Sequence, residues 1–248
     1  MYLDVIELRD FYRTLLGSVV ARKVGTAVAA LGRPEPSARV LGFGFVTPYL
    51  GSLRGTVERV LAFMPAGQGV LDWPPEQPSA TALVHEDQLP LSDASVDWIY
   101  LIHALEMSAR PQVLMEELRR VLSPGGRIVA VLPNRQGPWA RSDISPFGFG
   151  RPFSRGQAKR LFNAVGFQAE QWTSALHMPP VRSAPLLRAT VPLDRVGAEL
   201  WPAFSGVICV RATKRTEYVA AVRKKRVLSP AFRPALNPTP GLAGRSPV

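Results

Sequence analysis

Few residues of this chain could do acid, base or nucleophilic chemistry, and their spacing narrows the choice. The three histidines are His85, His103 and His177. None has a second histidine four residues away and the acids do not cluster, so neither a zinc site nor a two-metal site is expected. A serine hydrolase lacks support, because the glycine–serine–glycine elbow is missing. His103 stands apart because it directly follows the apolar run Val96–Ile102. Open α/β sheets place their ligands at the carboxyl ends of such strands, and an imidazole with an ordinary pKa of about 6.5 can act there as a general base. The competing reading is a packed, hydrogen-bonded and inert histidine. Glu106, three residues on, either orients His103 or opens the next helix.

The second concentration of chemically capable residues is Asn134–Phe153, a stretch of about 20 residues with neither helical nor strand period. Asn134, Arg135, Arg141 and Arg151 interleave there with Trp139, Phe147 and Phe149. Arginine offers bidentate contacts and aromatic rings offer a packed face, so the mixture suits an anionic or aromatic small molecule beneath a lid. A surface loop stapled to the core by its aromatics is the alternative, and both descriptions can hold together.

These residues need elements to position them. Residues 4–31 carry Val5, Leu8, Phe11, Tyr12, Leu15, Leu16, Val19, Val24 and Val28 near helical spacing, which predicts one amphipathic helix. Arg39–Phe45 reads as a buried strand, Val57–Met64 as a second, Ala82–His85 as a short third and Val96–Ile102 as a fourth. Pro111–Val121 reads as a helix, Ser123–Gly126 as a reverse turn, and Arg127–Leu132 as the next strand. A helix over Ser154–Val165 and another over Leu186–Leu200 sit among strands near Phe167–Ser174 and Gly206–Ala212. Connections this long exclude hairpins and fit strand–helix–strand units in a parallel sheet.

Charge divides the chain. Of 248 residues, 30 are Lys or Arg and 19 are Asp or Glu, a formal net charge of +11. Residues 211–248 hold nine of the basic residues and one acid, Glu217, which leaves +3 for the rest. Residues 216–248, with Arg223-Lys-Lys-Arg226, read as a basic and largely disordered tail. Such a tail supports weak electrostatic contact with nucleic acid; Tyr218 and Phe232 alone could stack on bases. The single cysteine, Cys209, excludes an intramolecular disulfide and suits a reducing compartment. The N-terminus lacks the order of a secretory signal, and even the apolar stretch Leu15–Leu31 contains Arg22 and Lys23, so no membrane span and a cytoplasmic location are expected.

The run Glu86-Asp-Gln-Leu-Pro-Leu-Ser-Asp-Ala-Ser-Val-Asp97, continued by Trp98–Glu106 and by Glu116-Glu-Leu-Arg-Arg-Val-Leu-Ser-Pro-Gly-Gly126, resembles the class I S-adenosylmethionine-dependent methyltransferases, most closely their type 11 branch. The resemblance implies a Rossmann-like α/β fold: a mostly parallel seven-stranded sheet flanked by helices, its last strand antiparallel. It divides the chain into an N-terminal helical cap (1–36), a methyltransferase-like domain (37–215) and the tail. It also implies S-adenosylmethionine as cofactor, held by Gly42, Gly44, Thr47, Tyr49, Glu86, Asp87, Gln88 and Leu89. A small-molecule substrate would meet Tyr12, Asn134, Arg135, Trp139, Arg141, Phe149 and Arg151, with His103 as the catalytic base.

The chain departs from that pattern at two places. In Val40-Leu-Gly-Phe-Gly-Phe-Val-Thr-Pro48, Gly42 stands at the family's acidic position, while Val46 and Pro48 stand where glycines let the backbone approach the cofactor. The second strand ends Leu61-Ala-Phe-Met-Pro65, without the acid that accepts from the ribose hydroxyls. Three functions therefore stand open: a methyltransferase acting on a small molecule, a methyltransferase fold turned to binding or regulation, and a nucleic-acid-associated protein using its tail.

Overall fold

The computed structural model of the chain describes residues 2–216 apart from Glu76. The basic tail lies, from residue 217 onward, outside the described residues. Helices α1 (Val5–Arg13) and α2 (Leu15–Ala30) precede strand β1 (Arg39–Gly44); then come the one-turn helix α3 (Thr47–Leu50), β2 (Arg59–Pro65), β3 (Thr81–Val84) and β4 (Val96–Ile102). The second half runs α4 (Pro111–Val121), β5 (Leu122–Pro133), α5 (Arg155–Ala164), β6 (Phe167–Ala175), α6 (Ala184–Thr190), α7 (Leu193–Leu200) and β7 (Val207–Lys214).

The strands form a seven-stranded sheet in the order β3-β2-β1-β4-β5-β7-β6. Neighbours from β3 to β5 pair in parallel, and β7 runs antiparallel to both β5 and β6, as the resemblance implies. Successive side chains of a strand point to opposite faces. Val40, Trp98, Tyr100, Ile102, Val129 and Val131 accordingly pack on one face with Val20 and Val24 of α2. Their sequence neighbours Leu41, Ile99, Leu101, Ile128 and Ala130 pack on the other with Leu114 and Leu118 of α4 and Phe162 of α5. Burial on both faces is what turns these strands into near-continuous apolar runs.

At the amino ends of the strands Asp97 ties three of them together. Its carboxylate accepts from Arg39 Nε and Nη2, both at 2.9 Å, from the Arg39 backbone N–H at 3.0 Å and from Ser123 Oγ at 2.9 Å. These bonds, Arg39 foremost, hold the carboxyl well below the usual carboxylate range.

Three local expectations need correction. The single helix over residues 4–31 is two, broken at Thr14, whose extended backbone (ψ 163°) and side chain accepting from Gly17 N–H cap α2. The helix over Leu186–Leu200 is also two, separated by Val191-Pro192, because proline cannot donate within a helix. Ser123–Gly126 is not a free turn: β5 starts at Leu122, which pairs with Val96, and the register shifts before Arg127 with Gly125 at φ 71°. Among the described residues no helix is long and apolar enough to cross a membrane.

Candidate functional site

The carboxyl edge of the sheet, where β1, β2 and β4 end, is covered by α1. The helix is anchored by Val5 N–H donating to Gln68 O at 2.7 Å, by Leu3 N–H on Met107 Sδ and by the Tyr2 hydroxyl on Glu86 Oε2. Beneath it, Val5, Leu8, Phe45 and Met64 form a closed apolar cluster. Phe45 follows β1, Met64 lies near the end of β2, and Leu8 and Met64 are fully buried. Tyr12 of α1 stacks on Phe45 with ring centroids 5.5 Å apart.

At the end of β1 and in the loop after it, two glycines and Val46 are packed tightly. Gly44 (φ 90°) lies so near β4 that a Cβ there would stand 2.2 Å from Ile102 O. Its glycine is thus required by strand packing as well as by its backbone angle. A Cβ on Gly42 would stand 2.3 Å from Val46 Cγ2 and 2.7 Å from Leu50 Cδ1. Val46, fully buried, thus fills the space that a side chain at position 42 would use.

Over β4 the groups are polar. His103 (φ 53°) is fully buried, and its Nε2 lies 2.9 Å from the Tyr12 hydroxyl, which in turn lies 2.8 Å from the Tyr49 hydroxyl. Burial raises the pKa of both tyrosines, so both keep the hydroxyl proton at neutral pH and can donate or accept. The other ring nitrogen, Nδ1, faces Glu106 Oε1 at 3.5 Å. Neither Nδ1 nor either Glu106 carboxylate oxygen has a hydrogen-bond partner, and Gln68 Oε1 is likewise unsatisfied. Phe147 closes the other side of the histidine, ring centroids 4.7 Å apart. Tyrosine, histidine and carboxylate in a row can pass a proton, and here the row runs from the half-buried Tyr12 to the buried His103 and Glu106.

The remaining candidates separate into engaged and exposed residues. Glu86 is taken up by Tyr2 and by Ser108 Oγ at 3.0 Å, Asp87 by Arg110 at 2.7 Å, and Leu89 N–H by Glu117 Oε1 at 2.7 Å; Gln88 is exposed and Thr47 half-buried. Asn134 Nδ2 donates to the carbonyls of Ala203 and Ser205, and fully buried Trp139 donates to Met178 O at 2.6 Å. These two staple the Asn134–Phe153 loop to the body. Arg135, Arg141, Arg151 and Phe149 are exposed, and among the described residues the three arginines form no ion pair. Sequence reasoning missed Tyr2, Leu8, Met64 and Gln68 as parts of this edge. Only Met64, an apolar residue where an acid is expected, left a readable signal.

The strand order, the antiparallel β7 and the helices on both faces define a class I methyltransferase fold. A family profile described as a methyltransferase domain matches residues 42–130 of the chain. The biotin biosynthesis bifunctional protein BioHC of Cellvibrio japonicus is 32% identical over 145 residues, 48% of this chain and 29% of that protein. The chain thus spans under a third of that relative's length. A Thermotoga maritima S-adenosylmethionine-dependent methyltransferase, described as a possible histamine N-methyltransferase, superposes with TM-score 0.57 at 17% identity over 85% of this chain and 96% of that one. The [4+2]-cyclase SpnF superposes with TM-score 0.56 at 19% identity over 82% and 83%.

The residues present do not fit the family's cofactor in this arrangement. Adenosyl ribose needs an acceptor for its hydroxyls, and the end of β2 offers the buried thioether of Met64. The volume above β1 and β2 is filled by Phe45, Val5 and Leu8.

Proposed function

We propose that this chain is a methyltransferase-fold protein that acts by binding, without methyl transfer from S-adenosylmethionine. The observation that carries this reading is the cluster of Val5, Leu8, Phe45 and Met64, which makes the cofactor half of the edge into core. Displacing it would expose several fully buried apolar side chains, each worth about 1.5–3 kcal/mol. A cofactor without an acid for its ribose has little with which to offset that. The likeness to SpnF, a [4+2]-cyclase, supports treating fold and activity separately. Titration calorimetry of the full chain with S-adenosylhomocysteine up to about 1 mM should give no saturable heat; saturable binding tighter than about 0.1 mM would overturn the reading.

One observation favours a second reading, a methyltransferase whose α1 is a door. Tyr12, His103 and Glu106 keep the parts of a proton relay, and His103 would then take a proton from an acceptor hydroxyl while the Asn134–Phe153 loop excludes water. In that case S-adenosylhomocysteine binds and hydrogen exchange rises over residues 2–13. The Cys209 thiol is buried, which pushes its pKa up to about 12 and leaves it inert in both readings.

A further inference from the structure

A different set of α1 residues lines a groove of about 410 Å³, within the range of small-molecule sites. Phe11, Leu15, Leu16 and Ile144 form its apolar walls, and Asp10, Thr14 and Arg182 its polar parts. Three separate pieces of chain meet there: the α1–α2 junction, the Asn134–Phe153 loop and the segment before α6. Leu15 is 48% exposed, a large apolar side chain left open to water.

The charges in the groove are unequal. Asp10 is paired with Arg9, Nε to Oδ1 at 2.9 Å. Arg182 is exposed and has no acidic partner among the described residues. The groove therefore presents an apolar trough and one uncompensated guanidinium, whose fork matches a carboxylate.

We propose that this groove binds an amphipathic carboxylate, a medium-chain fatty acid or a molecule of that build, with its chain along Phe11, Leu15, Leu16 and Ile144 and its head on Arg182. The site shares neither residues nor cavity with the filled cleft, so it goes beyond the binding reading and stands or falls separately. Titration with S-adenosylhomocysteine reports the cleft, and titration with a fatty acid reports the groove.

The test is calorimetry on the full chain with decanoate, decanol and decyltrimethylammonium, each kept below its micelle concentration. Decanoate binds saturably at one site, decanol about tenfold more weakly, and the ammonium compound more weakly still, since a hydrogen bond to a charged group separates the first two. Arg182→Gln brings decanoate to the level of decanol, whereas Arg188→Gln, an exposed arginine of α6, leaves the ranking intact. Ile144→Asp weakens decanoate and decanol alike. Because Arg182 and Arg188 are exposed, thermal melts of both variants stay at the native value and confirm folding. The proposal is overturned if decanoate does not bind saturably, if decanoate and decanol bind equally to the native chain, or if Arg182→Gln keeps their difference.

Discussion

The carboxyl edge of the sheet has two halves of opposite character. Over β4, His103, Glu106, Tyr12 and Tyr49 keep groups able to donate, accept and relay protons. Over β1 and β2, Phe45 and Met64 have joined Val5 and Leu8 in an apolar cluster. A class I methyltransferase needs both halves, one for the cofactor and one for the acceptor. The half over β4 holds buried polar atoms without partners, an arrangement stability alone does not favour, whereas the half over β1 and β2 is apolar throughout.

The comparison breaks most visibly at Phe45. As a core side chain, Phe45→Ala should destabilise the chain by about 3–5 kcal/mol in urea unfolding, where a residue lining an open cleft would cost little. Next is Gly42→Asp, which drives a side chain into Val46 and should cost about 1–3 kcal/mol; adding Val46→Gly restores part of the loss, and equal costs for the single and double variants would disprove the exchange of space. Over β4, Tyr12→Phe removes the hydroxyl between His103 and Tyr49 and should cost about 1–3 kcal/mol, read from the same unfolding curves.

Away from the edge, pH offers a smaller effect. The carboxyl of Asp97 is held low by Arg39, so its contribution is complete above the unfolded value of about 3.9 and is lost as pH falls through the lower folded value. Asp97 and Arg39 are each about a third exposed, and solvent screening limits the contribution to about 1 kcal/mol. Asp97→Asn should therefore lower stability at pH 7 and flatten its decline below pH 4 in acid titrations. The smallest effect belongs to Arg135→Ala, Arg141→Ala and Arg151→Ala, each within about 0.5 kcal/mol in thermal melts.

How much of this was legible in the sequence follows the range of the interactions. Strand and helix periods are local, so β1, β4, α4 and α5 were read within a few residues, and Ser154 with Gln157 marks the start of α5 as a capping box. The break at Thr14 was hidden because the apolar period runs through it, while the hydroxyl that ends one helix and starts the next sits on the exposed side. At the site, the missing acid and the altered glycines were visible, but what replaced them was not. Leu8 meets Met64 and Tyr12 meets His103 across many residues of chain, and nothing in either segment alone announces the partner.

The Gly42 and Val46 pair also constrains where this sequence can go next. A single change to aspartate at position 42 meets Val46 at once, and a single change to glycine at position 46 opens a void beneath Leu50. Each step back toward the family's loop is a loss on its own, and the two together recover only part of it because a side chain at position 42 still faces Leu50 Cδ1. The end of β1 and the loop after it thus couple positions 42 and 46, and a gain of volume at one calls for a loss of volume at the other.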